Sequence, residues 1–230
     1  MTANPVTRKA RWFLSRHLFP QTLLSVTADS GLVFQAQAHE RILRQIAKTG
    51  IHEPSITNWM TAFLASRSGP GLFLDVGANF GWYTVHAAAS ANIDMVVAFE
   101  AESFNAWLLD QNVGLNRLEN VVIAPWAVGD RHGYFRLYRN SPSHRGRHTL
   151  VRDRGFGSSL VPMMELDRLL EVLKLGDRPI HIMKIDVEGY EVPVTRCGPD
   201  ALSRTPKRSP GTHAPATLAP SRIRQGRRRR

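Results

Sequence analysis

A carboxylate, two glycines and an asparagine crowd into one short stretch, Asp75-Val-Gly77-Ala-Asn79-Phe-Gly81, between the apolar run Leu72–Leu74 and the helix-compatible run Trp82–Ala89. A buried strand that turns tightly into a helix lets a ligand approach the backbone. Glycine carries no Cβ, and asparagine is among the few other residues that tolerate positive φ. The first N–H groups of the new helix lack intrahelical partners and favour a polar ligand. Downstream, a second apolar run, Met95–Phe99, ends in Glu100. An acid at that place suits the two hydroxyls of a ribose. A third run, Val121–Gly129, carries Ala127 and Val128, small enough to flank a base, and a fourth, Ile180–Val187, runs into Asp186 and Glu188.

These positions describe a nucleoside site. Asp75, just ahead of the first glycine, repels a phosphate and suits an ammonium group, which favours S-adenosylmethionine over NAD. The turn also lacks the full Gly-x-Gly-x-x-Gly pattern, and no Gly-Lys-Ser/Thr phosphate loop occurs. Methyl transfer is a displacement at carbon that requires alignment of donor and acceptor and a base for the released proton. Asp186 and Glu188, at a strand end where open α/β sheets place their sites, are the catalytic candidates. Asp186 would border the methyl donor and orient the acceptor hydroxyl. Plainer roles stand beside these. Gly77 and Gly81 could serve the turn alone, and Asp75 could be a helix-dipole acid. Glu100 could be a surface acid, Ala127 an ordinary small residue, and Asp186 or Glu188 a partner of Lys184. His144 and His148 read as solvated side chains of a basic loop rather than bases, His181 as packed, and Ser158 and Ser159 as turn formers. No metal-ligand spacing is present.

Positioning these groups requires alternating strands and helices. Leu23–Ala28 and Leu32–Gln37 flank Asp29-Ser-Gly31 as a hairpin. His39–Lys48 and Pro54–Ser66 have helical spacing, the first stopped by Gly50 and the second carrying Pro54 in its first turn. Helices are also expected over Ser103–Asn116 and Asp167–Leu173, an edge strand over Tyr134–Tyr138, and a loop or lid over 139–157. Together this predicts an α/β fold with a mostly parallel, Rossmann-like sheet covered on both faces. The expected organisation is an N-terminal hairpin and helical segment over 1–70, a nucleoside-binding core over 71–194, and a disordered basic tail over 195–230.

Composition narrows the class. The 230 residues are 43% hydrophobic, enough for a single core, and contain no apolar run long enough for a membrane span. One cysteine, Cys197, excludes a disulfide framework and makes a reducing cytosol the expected compartment. Most of the net charge of +11 sits in residues 195–230, which hold ten Arg or Lys against Asp200 alone. Residues 1–194 are close to neutral, so the core is not a basic nucleic-acid domain. The tail has two readings: an arm for nucleic acid or an acidic membrane surface, or a frameshifted end that replaces a different C-terminus.

Asp-Val-Gly-Ala-Asn-Phe-Gly (75–81), Val-Val-Ala-Phe-Glu (96–100), Leu-Asp-Arg-Leu (166–169) and Lys-Ile-Asp-Val-Glu-Gly (184–189) occur in that order. With Gly50-Ile-His-Glu53 and Gly157-Ser-Ser-Leu160, they resemble the FkbM-type S-adenosylmethionine-dependent methyltransferases over about residues 23–194. The resemblance implies a class I methyltransferase fold and methylation of a hydroxyl on a small molecule or sugar. The residues read above as holding the cofactor are Asp75, Gly77, Asn79, Gly81, Glu100 and Ala127. The sequence departs from the family at Ala101 and Glu165, where proline and threonine or serine are usual. The family fold also continues past Asp186 with a helix, a strand and an antiparallel pair, for which 195–230 offers no apolar pattern. A truncated, inactive relative and a nucleic-acid-binding protein acting through the arginines are the alternatives.

Overall fold

The computed structural model describes residues 21–69, 71–141, 148–175, 178–204 and 217–218. Elements, in chain order, begin with a hairpin of β1 (Leu23–Thr27) and β2 (Val33–Gln37), then helices α1 (Arg41–Thr49) and α2 (Pro54–Ala65). β3 (Leu72–Val76), α3 (Trp82–Ala88), β4 (Met95–Phe99), α4 (Ser103–Leu115) and β5 (Val121–Ala124) follow. The remainder is β6 (Ala127–Val128), β7 (Gly133–Tyr138), β8 (Ser158–Met164), α5 (Leu166–Val172), β9 (Ile180–Ile185), α6 (Glu191–Arg196), α7 (Pro199–Arg204) and β10 (Thr217–Leu218).

The main sheet is parallel throughout, in the order β10-β9-β3-β4-β5. Period-two alternation sends neighbouring side chains of each strand to opposite faces, and both faces are covered. Phe73, Val96, Ala98 and Ile182 pack with the hairpin, α1, α2, α3 and α4. Leu72, Leu74, Val97 and Phe99 pack with α5, α6 and α7. The chain leaves β3 towards β4 and β5, then returns to β9 on the other flank of β3. This reversal puts a crevice at the C-terminal ends of β3, β4 and β9, the usual ligand position in such sheets.

Local signals explain several boundaries. Gly50 closes α1 in the left-handed conformation, and Pro54 opens α2. Glu102 caps α4 by accepting from the Asn105 N–H at 2.9 Å. Asn112 and Asn116 on α4 bind the backbone of β2: their side-chain oxygens accept from Gln35 N–H at 2.7 Å and Val33 N–H at 2.8 Å. The hairpin is thereby fastened to the core by paired amides rather than by apolar contact alone.

Three expectations need correction. The run Val121–Gly129 is not one strand: Pro125 interrupts it, β5 ends at Ala124, and β6 joins a separate small sheet in the order β6-β8-β7. Ser158 and Ser159 are not turn residues but open β8, antiparallel to β7. The fold also does not stop at residue 194. Val194, Cys197 and Ala201 are buried in the second core cluster, and the Asp167 carboxylate accepts the N–H groups of Asp200 and Ala201 at 3.1 and 2.9 Å. β10 adds a parallel partner to β9 at Met183 and Lys184. The rest of the expected tail, 205–216 and 219–230, lies outside the described residues.

Candidate cofactor and active site

β3 delivers the chain into its turn with every residue buried. Gly77, Asn79 and Gly81 then adopt φ of 80°, 54° and 93°. The turn is tied to the end of β4 by three backbone donors: Gly77 and Ala78 N–H bond Phe99 O at 2.9 and 3.0 Å, and Asn79 N–H bonds the Glu100 carboxylate at 2.7 Å. At Gly77 a Cβ would lie 2.1 Å from Asp186 O, a backbone atom that cannot move aside. Gly77→Ala is therefore expected to destabilise the protein by more than the about 1–2 kcal/mol of the left-handed backbone alone. Thermal melting followed by circular dichroism reads this directly.

A cleft opens beside this turn. Of the residues expected at the site, Gly77, Asn79, Glu100, Ala127 and Asp186 line it. Among the described lining residues, Asp75, Gly81 and Glu188 do not appear. Asp75 is fully buried, its carboxylate held by Thr84 Oγ1 at 2.7 Å and by Lys184 Nζ at 3.0 Å. Gly81 caps α3 and faces Leu109. Glu188 sits at φ 42° and its carbonyl accepts from Thr149 Oγ1 at 2.9 Å.

Sequence reasoning gave Lys184 only the part of a partner to Asp186 or Glu188; the structure pairs it with Asp75. β3 and β9 pair in register with Lys184 opposite Asp75, so the lysine reaches the acid across the ladder. Its ammonium also donates to Gly77 O at 2.7 Å. Burial alone would pull its pKa down, but the Asp75 and Asp186 carboxylates override burial and hold it above the ordinary value. Tyr83 packs over the same lysine. Its ring centroid lies 5.5 Å from Lys184 Nζ, and its hydroxyl donates to Glu53. Glu53, at φ 43°, leads into α2, so the N-terminal segment reaches the edge of the site. Burial, and the hydrogen bond to Glu53, push the Tyr83 hydroxyl well above its ordinary range.

Glu100 and Asp186 face the cleft with different electrostatics. Burial raises Glu100 to about 7, against the downward pull of the Glu102 and Asn79 N–H groups. Burial also raises Asp186, opposed by the Lys184 charge. For Glu100 the sign has a measurable consequence. Between its ordinary value of 4.5 and about 7 the folded chain holds a proton that the unfolded chain has lost. Its contribution to stability therefore falls as pH rises through that window and is lowest above it. Melting temperatures of Glu100→Gln between pH 5 and 8 are expected to lack this part of the wild-type slope.

The remaining cleft wall was not legible in the sequence. Ala101, Trp126, Leu137 and Leu150 give it an apolar end, and His148 lines it as well. Ala101, Ala127, Leu137 and Leu150 belong to one apolar cluster. Of the two loop histidines weighed earlier, His144 lies outside the described residues.

The model of the methyltransferase FkbM domain family matches residues 75–205. No curated protein matches the chain. Among solved structures, a methyltransferase FkbM from Methylobacillus flagellatus KT is similar at 14% identity and a TM-score of 0.39, covering 60% of this chain and 32% of its own. A SAM-dependent methyltransferase from Agrobacterium tumefaciens gives 13% identity and a TM-score of 0.44, covering 75% of this chain and 46% of its own. M. jannaschii TYW2, solved in complex with AdoMet, gives 14% and 0.34, covering 62% of this chain and 84% of its own. The chain thus spans about a third of the first of these structures. Among the described residues no helix is long and apolar enough to cross a membrane.

Proposed function

The chain belongs to the FkbM methyltransferase domain family, and from that premise we propose that it moves the methyl group of S-adenosylmethionine onto a hydroxyl of a small molecule or sugar. The observation that carries this reading is the convergence of the glycine turn, the Glu100 carboxylate and Asp186 on one cleft. The residues present fit the cofactor. Glycine at 77 lets the turn pack directly against the backbone of Asp186. Glu100 offers carboxylate oxygens for ribose hydroxyls, and Ala127 with Leu137 and Leu150 forms a slot for a flat base.

When bound, S-adenosylmethionine supplies an electrophilic methyl carbon on a sulfonium. The protein's part is to align an acceptor oxygen with that carbon and to take the proton the oxygen loses. We assign both tasks to Asp186. It lines the cleft, and burial raises its proton affinity above that of an ordinary aspartate. In that role the Asp186 carboxylate would accept the proton of the acceptor hydroxyl. Asp75 and Gly81 act from behind the cleft. Asp75 fixes Lys184, which in turn fixes the carbonyl of Gly77. Glu188 acts through its backbone, its carbonyl accepting from Thr149 Oγ1. The single buried cysteine remains the argument for a reducing cytosol as the compartment.

Calorimetric titration with S-adenosylhomocysteine tests the reading. Saturable binding is expected, strengthening as pH rises through about 7 because ribose hydroxyls bond more strongly to the ionised form of Glu100. Absence of binding by folded protein removes the proposal.

A further inference from the structure

The cofactor reading of the preceding subsection, on which this inference rests, leaves one ligand charge without a partner. S-adenosylmethionine carries an α-ammonium at the end of a short alkyl arm beyond its sulfur. The base side of the cleft is at β6, the ribose at the end of β4 and Asp186 at the end of β9. The arm therefore ends on the β3–β9 side. The acid expected there from the sequence, Asp75, is closed to it. Asp75 is 0% exposed, and its carboxylate is already held by Lys184 Nζ at 3.0 Å and Thr84 Oγ1 at 2.7 Å.

A different carboxylate reaches this side. Alternation along β3 and β9 puts Asp75, Lys184 and Asp186 on the face that Phe73 and Ile182 share with α2 and α3. On that face Tyr83 lies over Lys184, and its hydroxyl donates to Glu53 Oε2. The Glu53 charge is close enough to Asp186 to raise its proton affinity, although burial raises it more.

Glu53 does not serve its own helix. It stands at the N-cap of α2, where a side-chain oxygen ordinarily accepts a backbone N–H, yet it makes no such bond. Its side chain is 43% exposed, and among the described residues Oε1 accepts no hydrogen bond. His52 Nε2 lies 3.8 Å from Oε2, but burial lowers the proton affinity of that ring, so it brings no cation at neutral pH. The Lys184 ammonium is engaged by Asp75 and by Gly77 O. Tyr83 thus fixes one oxygen of Glu53 and leaves the other open, with the charge uncompensated.

We propose that the Glu53 carboxylate receives the α-ammonium of the cofactor. The N-terminal segment then holds the amino-acid end of the ligand, as β4 holds the ribose through Glu100.

The test is calorimetry on the full chain, wild type and Glu53→Gln, with S-adenosylhomocysteine, its deamino analogue and methylthioadenosine. The deamino analogue carries hydrogen in place of the ammonium, and methylthioadenosine lacks the whole arm. Wild type is expected to bind S-adenosylhomocysteine about tenfold more tightly than the deamino analogue, the size of one charge-assisted hydrogen bond. In Glu53→Gln that difference should largely vanish, through weaker binding of S-adenosylhomocysteine alone. Methylthioadenosine should bind both proteins alike, which also shows that the variant is folded. Unchanged affinity of Glu53→Gln for S-adenosylhomocysteine overturns the proposal. So does a loss that the deamino analogue shares in full, which would put the effect of Glu53 elsewhere on the ligand. If S-adenosylhomocysteine does not bind wild type at all, the cofactor reading falls and takes this inference with it. Binding that is indifferent to Glu53 removes this inference alone.

Discussion

Replacing Lys184 with methionine is expected to destabilise the protein by about 3–5 kcal/mol, the usual consequence of removing one partner from a buried ion pair. Asp75 is 0% exposed and Lys184 5%. The pair stands at the centre of the sheet, where β3 and β9 meet in register. Without the ammonium, the Asp75 carboxylate keeps only the Thr84 hydroxyl at 2.7 Å and is left as a buried charge without its counterion. The carbonyl of Gly77 loses a donor at 2.7 Å in the same step. For a chain of this size each kcal/mol shifts the melting temperature by roughly 2–4 °C, so a fall of roughly 6–20 °C is anticipated. The double replacement Asp75→Asn with Lys184→Met should recover much of that loss, because it leaves no charge behind. A double variant no more stable than Lys184→Met would mean that the pair is not the unit described here.

The second large effect is on ligand binding. Glu100→Ala is expected to weaken S-adenosylhomocysteine binding roughly 100-fold or more. Hydrogen bonds to a charged acceptor contribute about 1.5–3 kcal/mol each, two are lost with the ribose hydroxyls, and each 1.4 kcal/mol is about tenfold in affinity. Part of the effect comes through the turn, since the same carboxylate holds Asn79 N–H at 2.7 Å and Glu102 N–H at 2.9 Å. Glu100→Gln separates the two contributions. It keeps an oxygen for a backbone donor but carries no charge, so its affinity should lie between those of wild type and Glu100→Ala. Calorimetry at pH 8, where wild-type Glu100 is ionised, gives the clearest comparison.

Much of the core was written in local pattern. The run Leu72–Leu74 followed by glycines of positive φ gave β3, its turn and α3. The run Met95–Phe99 and the helical spacing of Phe104, Trp107 and Leu108 gave β4 and α4. Elements whose existence depends on distant partners were harder to see. β8 contains Pro162 and no clean alternation; it forms because β7 offers a full antiparallel partner, while β6 reaches only Met163 and Met164. The helices beyond residue 194 have weak apolar periods and depend on Asp167 and the second core cluster.

The site divides the same way. Gly77, Asn79, Glu100, Ala127 and Asp186 are strand-end residues, and strand ends can be read along the chain. The position of Asp75 inside the sheet could not be, because it is set by a lysine on the neighbouring strand. His148 entered as one solvated histidine among basic loop residues. Only the backbone pairing of Thr149 with Tyr138 shows that it returns to the cleft.

The most direct test of the account is a crystal structure of the protein with S-adenosylhomocysteine. The account predicts the ribose hydroxyls within hydrogen-bonding distance of the Glu100 carboxylate, the base between Ala127 and Leu150, and the sulfur on the side of Asp186. A ligand bound outside this cleft, or a ribose turned away from Glu100, would contradict it.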